Sequence, residues 1–179
     1  VPLIRTRLAG MMQGLGFEPG SHDGKALVHA LTALPHDLLI GFSSHDLQRI
    51  ATSMMSLVDR PRPRLSLVLS PLKRHLFAFV WLPRDAISTQ MRLRITKMLS
   101  EAADAPLLDW TLQVDASNLA LLRFVLDIRN GEEGPAEAPL DARLRDMVRG
   151  WDEAVEIELA RLDDPARAAI IAGRFADAF

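Results

Sequence analysis

The sequence predicts an α+β fold: a four-stranded antiparallel sheet with helices on one face, in the order ββαββα, preceded and followed by helical segments. Three observations predict it. Apolar residues recur at helical spacing through residue 58. The run "DRPRPR" (59–64), two prolines among three arginines, cannot continue a helix, and beyond it the apolar period drops to two. From residue 64 the patterns then follow as strand, strand, helix, strand, strand, helix, the signature of a two-layer sandwich.

Taken in order, "LIRTRLAGMMQGLG" puts Ile4, Leu8, Met11, Met12 and Leu15 on one helical face, with Gly16 as the stop. "KALVHALTAL" carries Leu27, Val28, Leu31 and Leu34 and ends near Pro35. "SSHDLQRIATSMMSLVD" opens with Ser43 three residues before Asp46, a capping-box spacing, and buries Leu47, Ile50, Ala51, Met54, Leu57 and Val58. After the proline run, Leu65, Leu67 and Leu69 alternate with polar neighbours, and a turn at "SPLKR" leads into "HLFAFVWLP", apolar on both faces.

A helix follows in "PRDAISTQMRLRITKMLSEAAD", started near Asp85 or Ser88, with Ile87, Met91, Ile95, Met98, Leu99 and Ala102 inward. "LLDWTLQV" and "LALLRFVLDI" are the remaining strands, joined by the polar turn "DASN". "RNGEEGPAEAP" (129–139) reads as a connector. A long stripe then runs through Leu144, Met147, Val148, Trp151, Val155, Leu159 and Leu162, and Asp164-Pro165 opens a last helix. The strand and helix order equals a ferredoxin-like βαββαβ unit begun one strand early. This divides the chain into a helical segment (1–60), an α+β module (61–130, completed by a helix over 140–162) and a helical start of the next region (163–179).

The bulk properties exclude several classes of function. With 21 Lys and Arg against 23 Asp and Glu, the net charge is −2, where a general nucleic-acid binder carries a basic excess. There is no cysteine, hence no disulfide, thiolate metal site or cysteine nucleophile. No apolar run reaches the roughly 18 residues of a membrane span, so no membrane partner is expected; the expected address is cytoplasmic, with which the absence of cysteine is compatible. A start at Val1 inside a helical pattern, and an abrupt stop at "GRFADAF", read as a piece of something longer.

"EPGSHDGKAL" (18–27) has the look of a phosphate loop, but Gly24-Lys25 is followed by Ala26, Gly20 lies one residue too close, and no strand feeds it. The favoured reading is that Ser21 or Asp23 caps the next helix; the alternative is a helix-start anion site using Ser21 and Lys25. His22, His29, His36, His45 and His75 form no zinc-ligand spacing, and no Gly-x-Ser-x-Gly elbow occurs. The carboxylates are scattered along turns and wet helix faces without the inward pairing of an acid–base site, so neither catalytic residues nor a metal or bound cofactor is expected in these residues. Met54, Met55, Met91 and Met98 read as core fillers. The two strands apolar on both faces remain. Either the chain's own helices cover them, or Phe77, Phe79, Trp81, Leu122 and Phe124 meet another domain or subunit.

"PGSHDGKAL", "LPHDLLIGFSSHDL", "RPRPRLSLVL", "VWLPRDAISTQMRLRI" and "GRFADAF", in that order, resemble the amino-terminal half of the large, bacterial-type NAD-specific glutamate dehydrogenases. The resemblance implies a parent that deaminates L-glutamate to 2-oxoglutarate with NAD, both sites lying in a catalytic region outside these residues. This stretch would be an ACT-like module with flanking helices, acting in contacts with other domains and subunits of a homo-oligomer. The alternative it implies is a sensor for an amino-acid effector, with Ser21, Lys25 and Arg84 as contacts. Departures include "SPLKRHLFAF", which lacks the family's Gly and Phe in the first hairpin, and His36 where the family has arginine.

Overall fold

A computed structural model describes residues 2–58, 60–114, 118–129 and 134–162. Residues 115–117 of the "DASN" turn, residues 130–133 of the 129–139 connector, the helix at Asp164-Pro165 and "GRFADAF" lie outside the described residues, as do the side chains of Val155, Leu159 and Leu162. Four helices come first: α1 (Pro2–Leu15), α2 (His22–Thr32), α3 (His36–Gly41) and α4 (Ser44–Val58). Then follow β1 (Arg64–Leu69), β2 (His75–Pro83), a 3-10 turn (Arg84–Ala86), α5 (Thr89–Ala103), β3 (Leu107–Val114), β4 (Leu119–Asp127) and α6 (Glu137–Leu162).

The local causes are those the sequence carries. The Ser21 hydroxyl accepts from Gly24 N at 3.0 Å to cap α2. At α5 the cap is Ser88, accepting from Met91 N at 3.0 Å, while Asp85 belongs to the preceding 3-10 turn. Ser43 Oγ accepts from Asp46 N at 3.1 Å, the capping half of the box, and donates to the Asp46 carboxylate at 2.6 Å in place of the backbone N–H that would complete it. The short α3 was not expected from the sequence. It is held from outside: Arg7 Nη1 on α1 donates to the carbonyls of Leu39 (2.8 Å) and Phe42 (2.9 Å) at its end.

All strand pairs are antiparallel, in the order β1-β2-β4-β3. Relabelling β2, β3, β4 and β1 as first to fourth turns this into 4-1-3-2, the ferredoxin-like order with its last strand moved to the front. Register places Leu67, Ala78 and Phe124 in one row across β1, β2 and β4, and Ser66, Phe79, Arg123 and Thr111 in another across all four strands. Rows one residue apart face opposite ways.

Each face therefore has its own core. On one, Leu65, Leu67, Ala78, Val80, Leu122, Phe124 and Leu126 pack with Met91, Ile95, Met98 and Leu99 of α5 and Leu140, Leu144 and Val148 of α6. On the other, Val68, Phe79, Trp81 and Leu119 pack with Met11, Leu27, Leu31, Phe42, Leu47, Ile50 and Leu57 from α1 to α4. Phe42 meets Phe77 and Phe79 edge-on, at centroid distances of 5.1 and 6.2 Å, and Phe79 stacks on Trp81. Of the two readings of the doubly apolar strands, the chain's own helices cover both faces. Phe79 and Phe124 are fully buried, Trp81 is 1% and Leu122 2% exposed, and Phe77 is half-buried against the helical lobe. The interface role expected of Phe77, Phe79, Trp81, Leu122 and Phe124 is corrected accordingly: these side chains are core.

Candidate functional site

The opening loop and α2 use their polar atoms on themselves. The Ser21 hydroxyl donates to Glu18 O at 2.7 Å while it caps Gly24 N. A Cβ on Gly24 would stand 2.2 Å from Glu18 O, so the glycine is required by the close approach of the 18–21 turn, not by a phosphate. Lys25 is exposed, and so is Arg84, whose N–H donates to Asn118 O at 3.1 Å. Neither these two nor Ser21 lines the cavities described below.

Chemistry is concentrated at the two edges of the sheet. At the β1 edge, two carboxylates one turn apart on α6 reach the strand's outward amides. Asp141, only 3% exposed, accepts from Leu65 N at 2.8 Å, and Glu137 accepts from Leu67 N at 2.8 Å. Arg64 (3.2 Å) and Arg145 (3.2 Å) neutralise Asp141. Arg49 of α4 bridges Glu137 and the Leu67 carbonyl, tying the helical lobe to β1 and α6 at one point. An edge strand whose outward donors are already used cannot pair with another chain.

The β3 edge is the opposite case. Among the described residues no side chain hydrogen-bonds the outer backbone of β3, and the strand is exposed along nearly its whole length. It displays Leu108 (51% exposed), Trp110 (40%), Leu112 (43%) and Val114 (46%), with Leu93 of α5 also exposed. The Arg92 guanidinium lies 4.3 Å from the centre of the Trp110 ring. Sequence reasoning identified this strand but gave it no role. Its apolar side chains alternate like those of a covered strand, and periodicity does not reveal that the cover is missing.

Two cavities lie among the described residues. A small apolar one of about 40 Å³ lies between α1 and α2, against Leu8, Met11 and Leu31. The larger, about 230 Å³, opens where the lobe ends above β3 and β4; Pro35, Phe79, Thr111, Gln113, Leu121 and Arg123 line it. Beyond β4, Arg129 Nε donates to both carboxylate oxygens of Asp127 at 2.9 Å. These bonds, with the Arg129 backbone N–H, hold the Asp127 carboxyl down at about 2. The pair lies at a strand end and fixes the turn there. No cluster of three metal-ligating side chains occurs among the described residues, and no described helix is long and apolar enough to cross a membrane.

Fold and edges together define a permuted ferredoxin-like α+β module carried on a helical platform, with one edge sealed and one open. Residues 64–152 match the family described as "Glutamate dehydrogenase, ACT2 domain", and residues 1–60 that described as "Glutamate dehydrogenase, helical motif 1". The chain is similar to the NAD-specific glutamate dehydrogenase of Halomonas elongata, 31% identical over 183 residues that take in 100% of this chain and 11% of the relative. To that of Pseudomonas aeruginosa it is 30% identical, over 86% of this chain and 10% of the relative. With that of Mycobacterium tuberculosis it shares 24%, over 83% and 9%. The chain belongs to the NAD-specific glutamate dehydrogenase family, and it spans about a tenth of the length of these relatives.

Proposed function

We propose that this segment is a non-catalytic assembly and regulatory unit of a cytoplasmic glutamate dehydrogenase, and that it docks through the open edge of β3 onto another domain or subunit of the same parent. The parent would oxidise L-glutamate to 2-oxoglutarate and ammonia with NAD, through glutamate and NAD sites outside these residues. The observation that carries the reading is the contrast between the edges. The β1 amides are capped by Glu137 and Asp141, whereas β3 offers unpaired backbone beside Trp110, Leu112 and Val114. Strand addition supplies backbone hydrogen bonds, and exposed apolar side chains supply the burial that makes them persist.

The test is a charge on that strand. In the full-length parent, Leu112→Lys should weaken assembly at least tenfold, read by sedimentation as a shift toward smaller or more extended species. The fold of the segment should be retained, because Leu112 lies outside both cores. Unchanged sedimentation at every protein concentration would remove β3 as the docking edge. A second reading, an effector-binding sensor, is supported by the larger cavity.

A further inference from the structure

The row Phe79–Arg123–Thr111 crosses β2, β4 and β3 on the face that carries the helical lobe, and Leu121–Gln113 lies beside it on the same face. The lobe covers β2 and the near side of β4 but stops short of β3, whose Thr111 and Gln113 are exposed. Ala33, Leu34 and Pro35, between α2 and α3, roof the space left at this rim. The result is a cavity of about 230 Å³ with an apolar back wall and a polar mouth. At roughly 30 Å³ of liquid volume per water it holds several waters or one short organic acid. It is smaller than the roughly 300–1,000 Å³ typical of sites for drug-sized ligands.

Its charge is unbalanced. The Arg123 side chain makes no ion pair or hydrogen bond among the described residues, and its Nε is buried with no partner. The Nη groups, also unbonded within the described residues but still open to water, are the donors that an acceptor in the cavity can reach. The planar fork of arginine suits a carboxylate bidentately. The Thr111 hydroxyl and Gln113 amide stand on the neighbouring strand to share the anion, and Phe79, Leu34, Pro35 and Leu121 offer apolar surface for a short carbon chain. Inorganic phosphate would meet the arginine but would leave that wall unused.

We infer that this cavity is a binding site for a small organic carboxylate, held by Arg123 between the sheet and the helical lobe. It deepens the sensor reading by naming a site and a ligand class; Thr111, Leu112 and Gln113 of β3 belong to the cavity as well as to the open edge, so the two proposals are tested by separate readouts. A ligand here touches both the sheet and the α2–α3 turn, so its binding would tighten the seat of the lobe on the module.

The test is calorimetric titration of the 179-residue chain with acetate, butanoate, pentanedioate and inorganic phosphate. Butanoate or pentanedioate should bind, and more tightly than acetate or phosphate. Arg123→Met should weaken that binding at least tenfold, and Arg123→Lys should retain part of it. The unliganded melting temperature of Arg123→Met should be unchanged or higher, which a merely structural arginine would not give. Absence of binding at about 10 mM probe, ample for a Kd near 1 mM, would overturn the inference. So would full binding by Arg123→Met, or phosphate binding as tightly as butanoate. Should Arg123→Met not fold, hydrogen exchange on the unsubstituted chain decides. Protection by butanoate at 33–35, 111–113 and 121–123 upholds the site, and its absence there overturns it. Failure of the Leu112→Lys experiment would leave this outcome untouched, because binding is read on the chain alone.

Discussion

Asp127 and Arg129 show how two residues at a strand end set a pH response. The folded Asp127 carboxyl sits at about 2, below its ordinary 3.8, because the Arg129 side chain and backbone N–H bond the charged form. A lowered value stabilises the fold above the unfolded value, and that contribution is lost as pH falls through about 2. A carboxyl titration by NMR should find the Asp127 midpoint in that region, and Arg129→Ala should return it toward 3.8. A midpoint that stays low without the arginine would show that the cause lies elsewhere. At this scale the sequence was partly legible. A cap at Ser21 or Asp23 could be read from the sequence, and the structure selects Ser21; the Ser43–Asp46 pair could be read from spacing. The need for glycine at 24 could not, since it arises from a carbonyl six residues earlier that folds back over the helix start. Arg123 is the one charged residue in the apolar run "LALLRFVL", a visible signal; what surrounds it depends on a lobe some ninety residues away in sequence.

Among the elements, α4 and α5 were readable because each buries a face at helical spacing, and β1, β2 and β4 because short apolar runs are bounded by turn residues. The six-residue α3 was not, being too short for a period and held by Arg7 from another helix. Nor could the two edges be told apart from the sequence. Both β1 and β3 alternate, and only the placement of α6 decides which is sealed. The seal should be strong. Asp141→Ala would leave Leu65 N unbonded and Arg64 and Arg145 without their carboxylate, at a cost of about 3 kcal/mol. Urea denaturation would measure it, and a loss below about 1 kcal/mol would mean that water or Glu137 takes over the bonds.

Over the whole molecule, the two cores share one sheet, and neither can lose its half of β2 without exposing the other. Phe79 and Trp81 belong to the lobe side while Ala78 and Val80, between and beside them on the same strand, belong to the α5–α6 side. Unfolding should accordingly be a single transition, with tryptophan fluorescence and far-UV circular dichroism coincident in urea. Two separated transitions would mean that the helical platform melts off an intact sheet. The sequence-based division at residue 60 treats platform and module as neighbours; the burial of Trp81 among residues of the helical lobe, which no local pattern encodes, is what predicts that they melt together. The asymmetry of the edges has a last consequence, for the geometry of growth. A ribbon that can be lengthened at one end only is a terminator as well as a joint. If the strand that joins β3 comes from a second copy, the outer ends of the combined eight strands, four from each, are both β1. Both are already stoppered by α6, and the array closes as a pair instead of running on into a fibre.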